Sequence, residues 1–224
     1  SDTTRIRTFT QREGDEYVIN GNKIFISRIQ HSDLLLLLTR TKKREEATKP
    51  SDGFTVLLVD LRKAIEDGTI RATPIKTMVN HETNELAIEN LRVPVENRIG
   101  EEHKGFKVIL SGMNSERIIV TSEYIGAGFH LIDRAVQYAN ERHVFGRPIG
   151  MNQGVQFPIA QAYANLQAAS LMRWRAAEMY AAGENPRFEV NGAKLLASQA
   201  LWQAAQAAFD TFGGYAAAEG DGIE

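Results

Sequence analysis

The run Asn114-Ser115-Glu116-Arg117 holds the residue types most able to do chemistry in this chain. Asn and Ser cap helices by accepting hydrogen bonds from the first free N–H groups. The run therefore predicts a helix beginning at Asn114 or Ser115, with Glu116 in its first turn and favoured there by the helix dipole. A carboxylate so placed can act as an acid or base, or it can simply cap the helix beside Arg117. Gly126-Ala127-Gly128 suggests a dinucleotide fingerprint, but it lies inside a helical pattern with no strand before it. A close helix–helix contact accounts for it better. His81 to Glu85 gathers possible ligands without the paired His spacing of a helical zinc site, so a locally bonded loop is the simpler reading. Arg142 to Pro148 reads as a basic closure of a helix, and Gly213-Gly214 as a helix stop.

The elements that must position these residues fall into two kinds. Tyr17 to Ile19, Asn20-Gly21 and Lys23 to Ser27 read as a hairpin, because Asn-Gly accepts the positive φ angles of a type I′ turn. Leu34 to Thr39 reads as a strand buried on both faces, with further strands at Arg5 to Gln11, Phe54 to Asp60, Ile70 to Ile75 and Glu85 to Leu91. Thr41 to Ser51 is a charged loop that reads as a solvated insertion. Beyond Gly100 the apolar period lengthens to that of helices. One carries Ile118, Ile125, Phe129 and Ile132, a second starts near Pro158 and runs to Gly183, and a third spans Phe188 to Phe212 with Leu195, Trp202 and Phe209 seven apart. The fold class is α+β: an antiparallel β-sandwich or barrel domain over residues 1–97, then an antiparallel helical-bundle domain over 98–224.

Composition removes several functions. The chain has 224 residues, 26 basic against 28 acidic side chains, a formal net charge of -2 and no cysteine. The near-neutral balance has no basic stripe for nucleic acid. The longest apolar run, Leu34 to Leu38, falls far short of the ~20 residues that span a bilayer. Without thiols there is no disulfide framework and no cysteine nucleophile or metal cluster, which suits a reducing compartment.

Read in order, Ser1-Asp2, Tyr17 to Ser27 (YVINGNKIFIS), Leu91 to Gly100 (LRVPVENRIG), Lys104-Gly105-Phe106, Glu116-Arg117, Glu141 to Pro148 (ERHVFGRP), Gln153 and Phe212-Gly213-Gly214 resemble the acyl-CoA dehydrogenase family along essentially the whole chain. The resemblance implies an N-terminal helical domain, a middle β domain and a C-terminal helical domain, usually assembled as a homotetramer with FAD shared across a subunit interface. Against that plan the chain looks like a fragment without the first domain and the last helices, expected to be inactive alone. The implied reaction is α,β-dehydrogenation of an acyl-CoA thioester, a Glu taking the α proton while the β hydrogen passes as hydride to flavin N5. Glu116 matches the position that supplies the base in isovaleryl-CoA and long-chain type members; in most members the base lies in a region corresponding to one beyond residue 224. Ser1, Asn114, Ser115 and Arg117 would line the thioester region. Phe25, Ile26 and Ser27 stand where the family has Trp-Ile-Thr beside the isoalloxazine. Arg142, Phe145 and Gln153 would serve the FAD of a neighbouring subunit, and Gly213 and Gly214 would let backbone approach the cofactor. Asp210 departs from the usual Gln. An electron-transfer flavoprotein is the implied acceptor, and the bacterial cytoplasm or mitochondrial matrix the implied location. An acyl-CoA oxidase, a nitroalkane-oxidising relative or a scaffold that has lost flavin are the alternatives on the same fold.

Overall fold

The computed structural model describes residues 2–78, 82–218 and 220. The chain divides into two compact units, Ser1–Ser111 and Gly112–Glu224.

The first unit holds β1 (Phe9–Glu13), β2 (Glu16–Ser27), β3 (Leu34–Arg40), β4 (Phe54–Asp60), a short helix α1 (Leu61–Glu66), β5 (Ile70–Pro74), β6 (Thr83–Pro94) and β7 (Arg98–Ile99). They make one seven-stranded sheet in the order β5-β6-β2-β1-β3-β4-β7. Every pairing is antiparallel except the single Phe9–Arg40 step between β1 and β3. Apolar residues of β2 to β6 and of α1 close around one core, with Tyr17, Ile19, Leu57, Leu61 and Leu86 fully buried. Burying a side chain of this size stabilises by roughly 1.5–3 kcal/mol. The Tyr17 hydroxyl accepts from Arg98 Nη1 at 3.1 Å, so its burial strands no polar atom. At the entry to α1, Asp60 caps the helix by accepting from Lys63 N at 3.0 Å.

Two expectations are corrected here. Asn20-Gly21 is no hairpin turn: β2 runs straight through it, and the β1–β2 turn lies at Gly14-Asp15. The pair sits instead at a register shift between Ile19 and Gly21 against β6, a bulge. Gly21 has φ +142°, and a Cβ there would lie 2.6 Å from Thr8 Cα. The conformational freedom of Gly is thus used by a bulge and a close approach of backbone. Second, β3 is not buried on both faces along its whole length: Leu37 enters the core, while Leu34 and Leu36 are 57% and 51% exposed.

The second unit holds most of α2 (Gly105–Glu141), a small hairpin of β8 (His143–Val144) and β9 (Arg147–Pro148), α3 (Gln153–Ala181) and α4 (Arg187–Phe212). Helices α3 and α4 pack through alanines: Ala162, Ala169, Ala197, Ala200 and Ala204 are all buried. Leu195, Trp202 and Phe209, with Phe188 one heptad earlier, lie on the outward side of α4 and are 47–77% exposed. Pro158 does not begin α3; it lies inside the helix, five residues after Gln153, and removes the bond its N–H would give to Gly154 O.

The Gly126-Ala127-Gly128 triplet separates two roles. A Cβ on Gly128 would sit 2.5 Å from Leu166 Cδ2, whereas one on Gly126 would meet nothing within 4 Å. Leu166 is fully buried. Gly126→Ala is therefore expected to stabilise by about 0.5–1 kcal/mol through helix propensity. Gly128→Ala is expected to destabilise by roughly 1–3 kcal/mol through overpacking. Urea unfolding of both variants reads the opposite signs; equal effects would remove the close-contact assignment.

Candidate functional site

Glu116 is not in a first helical turn. Helix α2 starts at Gly105, so Asn114, Ser115, Glu116 and Arg117 lie about three turns inside it. Ser115 caps nothing: its Oγ donates back to Gly112 O at 2.8 Å. The same back-bonding recurs at Ser111, Thr121 and Ser122. These hydroxyls are satisfied by their own helix, a use the sequence pattern cannot tell from capping. Glu116 is exposed, and its neighbours Asn114, Ser115 and Arg117 are half-buried. The helix dipole gives Glu116 no special support at this depth.

Arg142 to Pro148 forms a hairpin rather than a plain helix closure. His143 pairs with Pro148 and Val144 with Arg147, leaving Phe145-Gly146 as a two-residue turn. Both turn residues have positive φ, +54° and +79°, as a type I′ turn requires. A bulky residue in this region is strained by about 1 kcal/mol or more, yet it is Phe145 that occupies the tip, fully exposed. Sequence reading missed the turn because Phe is outside the usual turn vocabulary.

One end of the helical unit gathers several expected residues. Arg142 and Gly214, with Tyr138, Phe212 and Tyr215, line a cavity of about 570 Å³. Tyr138 stacks on Phe212 with centroids 4.3 Å apart and planes 16° apart. Gly213 has φ +59° and open space where a Cβ would stand. Gln153 opens α3 just beyond the β8–β9 hairpin, whose return strand is tied by Ile149 N donating to Arg142 O at 2.8 Å. A guanidinium, aromatic walls and a side-chain-free backbone suit a flavin dinucleotide: a cation for phosphate, flat faces for a ring and room for close approach. Asp210 accepts from Gln206 Nε2 at 2.9 Å on α4 itself. Glu116 is no part of this group. It stands 26 positions from Arg142 along one continuous helix, which at 1.5 Å per residue is about 39 Å.

Phe25, Ile26 and Ser27 lie in the first unit, at the distorted end of β2. A second register shift falls between Lys23 and Ile26, and Phe25 has φ +60° with 67% of its surface exposed. The bulge turns the Phe25 ring outward, a re-aiming common beside functional sites. Ile26 O accepts from Asn84 Nδ2 at 3.4 Å, and Ser27 pairs in register with Thr83. Ser1 and His81 lie outside the described residues. Among the described residues, no group of three His, Asp or Glu is arranged to hold a metal.

The sequence did not single out Lys23. Strand β1 begins only at Phe9, paired with Asn20, so β2 beyond that point has no β1 partner. Lys23 reaches across this gap and donates from Nζ to Leu38 O of β3 at 2.7 Å. It anchors the strand two residues before Phe25. Burial pushes its ammonium down to about 8.

An antiparallel β unit is followed along the chain by a helical unit that gathers an arginine, stacked aromatics and a glycine pair at one end. Residues 1–91 match the acyl-CoA dehydrogenase middle domain, and residues 103–224 match the acyl-CoA dehydrogenase C-terminal domain. The chain belongs to the acyl-CoA dehydrogenase family. It is 31% identical over 216 residues to the acyl-CoA dehydrogenase of Bacillus subtilis, covering 96% of this chain and 55% of that protein. It is also 31% identical over 216 residues to the caffeyl-CoA reductase-Etf complex subunit CarC of Acetobacterium woodii, again covering 96% and 55%. The crystal structure of acyl-CoA dehydrogenase from Geobacillus kaustophilus superposes with a TM-score of 0.91 at 28% identity, covering 100% of this chain and 58% of that one. The chain thus spans little more than half the length of these relatives.

Lys23 gives a pH-dependent prediction. Its folded value lies below the ordinary 10.5, so between pH 8 and 10.5 the unfolded chain binds the extra proton and stability rises with pH. The gain is on the order of 2–3 kcal/mol. Urea unfolding across this range should show the rise in the wild type and a flatter profile in Lys23→Met. Parallel profiles would mean that the ammonium is not buried.

Proposed function

We propose that this protein is an FAD-dependent acyl-CoA dehydrogenase. The observation that carries the reading is the match of both structural units, in order, to the family's middle and C-terminal domains. FAD, when bound, supplies the hydride acceptor at N5. Arg142, Phe145 and Gln153 would hold the pyrophosphate and adenosine of a neighbouring subunit's FAD, and the Gly213-Gly214 backbone would let the cofactor approach closely. The roughly 39 Å between Glu116 and Arg142 supports a shared arrangement, because each copy offers the two groups to different sites. Phe25 would cover a face of the flavin ring, and the Ser27 hydroxyl would bond the ring beside it. Asn114, Ser115 and Arg117 shape the thioester region with Ser1.

Glu116 takes the α proton. The bound acyl chain would exclude water around this exposed carboxylate and hold the α proton within its reach as a general base. Hydrogen bonds to the thioester carbonyl stabilise the developing enolate, as an oxyanion hole does. Electrons then leave to an electron-transfer flavoprotein, in keeping with the Etf complex named for the Acetobacterium woodii relative. Activity is proposed for a protein of the relatives' length, assembled as a homo-oligomer; these 224 residues alone are proposed not to turn over substrate. Among the described residues no helix is long and apolar enough to cross a membrane, and we place the protein in the bacterial cytoplasm or the mitochondrial matrix.

The strained Phe145 turn yields an opposed pair of effects. Phe145→Asn relieves the positive-φ cost and should raise the unfolding free energy by about 0.5–1 kcal/mol, while lowering flavin content and loosening the oligomer. Arg142→Ala should lower flavin content more sharply, since a buried phosphate loses a charge-assisted bond of about 1.5–3 kcal/mol. Flavin absorbance after gel filtration measures both; unchanged stoichiometry in each variant would refute the assignment.

Glu116→Gln keeps the shape and removes the basicity. It should bind FAD and acyl-CoA nearly normally and slow anaerobic flavin reduction by at least ~10²-fold. Reduction within a few-fold of the wild-type rate would place the base elsewhere. Rapid reoxidation of reduced flavin by air would instead indicate an oxidase.

A further inference from the structure

The end of β2 that bears Ser27 is hydrogen-bonded along one edge, to β6. Beyond Asn20 the strand has no β1 partner, and after the register shift between Lys23 and Ile26 two ladder pairs follow among the described residues, Ile26 with Asn84 and Ser27 with Thr83. Positive φ angles bracket these two steps, +60° at Phe25 before them and +63° at Arg28 after them. A ladder this short, set between two left-handed residues, gains little support from the regular pleat on either side. The Lys23 anchor lies before the bulge and leaves the strand beyond it to be fixed by other means.

Asn84 supplies those means. Its side chain is buried, with the residue only 1% exposed. Its Nδ2 donates to Glu82 O at 2.7 Å and to Gln30 Oε1 at 3.2 Å, with Ile26 O 3.4 Å away, and its Oδ1 accepts from Gln30 Nε2 at 3.1 Å. The two amides therefore pair reciprocally. Of the polar run His81 to Glu85, Asn84 thus bonds both locally and across 54 positions of chain. Gln30 stands in the one-turn 3-10 helix Ile29–His31, which follows the strand end directly. That turn is itself seated: Ile29 enters the core of the unit, and Arg62 of α1 donates from Nη2 to Gln30 O at 2.9 Å. Arg28 N donates to Glu82 O at 3.3 Å, and the exposed His31 Nε2 lies 2.9 Å from Glu82 Oε1. An exposed ionic contact of that kind adds little. A buried amide deprived of its partner is penalised by its lost hydration, so the Asn84–Gln30 pair carries this clasp.

We propose that Asn84, paired with Gln30, is a positioning residue that fixes the Ile26-Ser27 backbone and, through it, the direction of the Ser27 hydroxyl. Asn is disfavoured in strands, and a buried amide is kept there because its polar atoms are bonded. A hydroxyl that has to meet a flat ring at a fixed distance needs such support from the residues around it. The proposal rests on the flavin reading of Ser27 only for what that hydroxyl touches.

Amide hydrogen exchange in the flavin-free protein, followed by NMR, tests the clasp without reference to activity. Asn84→Asp keeps the shape and removes the Nδ2 donors, while Gln30→Ala removes the partner from an exposed position. Both should speed exchange of the Arg28 amide at least tenfold and leave the amides of β4 as they are in the wild type. If Asn84→Asp does not fold, Gln30→Ala decides the question. In the flavin-loaded protein, both variants should slow anaerobic flavin reduction at least fivefold with the KM for acyl-CoA unchanged, and should move the flavin absorbance band in the same direction as Ser27→Ala does. Once Ser27 is Ala, adding Gln30→Ala should slow reduction less than twofold further, as expected of a residue that acts through Ser27. Unchanged exchange at Arg28 in both variants, or exchange that rises equally in β4, overturns the proposal. Wild-type reduction rates in both variants while Ser27→Ala is slow overturn it too, as does a double variant whose slowing is the product of the single effects. Faster exchange at Arg28, with flavin spectrum and reduction unaffected by Ser27→Ala, would support the clasp and defeat the flavin reading of Ser27 instead.

Discussion

Everything in the helical unit depends on α2 remaining one uninterrupted helix seated on its neighbour. The seat is the contact between Gly128 and the buried Leu166, where the missing Cβ lets the two helices approach. With that contact made, the part of α2 within the helical unit is seated on α3, and the spacing along it from Glu116 to its C-terminal end follows from the helical rise. The N-terminal half presents Glu116, and the C-terminal end delivers Arg142 to the hairpin and to the glycine pair that follows α4. A helix broken into two pieces would let these ends drift independently, and a carboxylate and a guanidinium intended for separate sites would lose their fixed spacing.

The β unit answers a different constraint. A strand that outruns its partner leaves carbonyl groups without donors, and β2 and β3 face that problem where β1 is absent. Lys23 supplies the donor to Leu38 O across the gap. A carbonyl left unpaired in a half-buried place costs about 1–3 kcal/mol, more than the gap itself can offset. The price is a buried amine, visible in its depressed proton affinity. Downstream of this anchor the strand bulges and exposes Phe25, so a rigid point immediately precedes the distorted one. Binding groups on a strained strand end hold their direction only if something fixed lies behind them.

How much of this was legible in the residues depends on whether each signal had one physical meaning. Phe54 to Asp60 and the third helix were read almost to the residue, because dense β-branched and aromatic runs, and alanines at helical spacing, admit few other structures. Asn20-Gly21 misled because tolerance of positive φ serves a bulge as well as a turn. Asn114 and Ser115 misled because a hydroxyl that caps a helix and one that bonds back within it look alike in sequence. Phe145 concealed its turn by being the wrong residue type for it. The burial of Lys23 and the pairing of Gln30 with Asn84 depend on partners far along the chain, which no local pattern reports. The roles of Glu116, Arg142 and Ser27 came from family resemblance rather than from spacing.

The alanine face of α4 inverts the usual direction of mutational risk. In most cores damage comes from loss of volume, as when Leu is shortened to Ala and a cavity opens. Ala197, Ala200, Ala204 and Ala208 have almost no volume to lose and none of them is more than 1% exposed. Apart from glycine, every replacement adds atoms where none fit, so drift at these positions acts by wedging helices apart. The outward side, with Leu195 and Trp202, has no such limit within this chain. A library randomised along α4 would therefore sort by residue size on one side of the helix and accept nearly any size on the other, tracing the helix packing from survival alone.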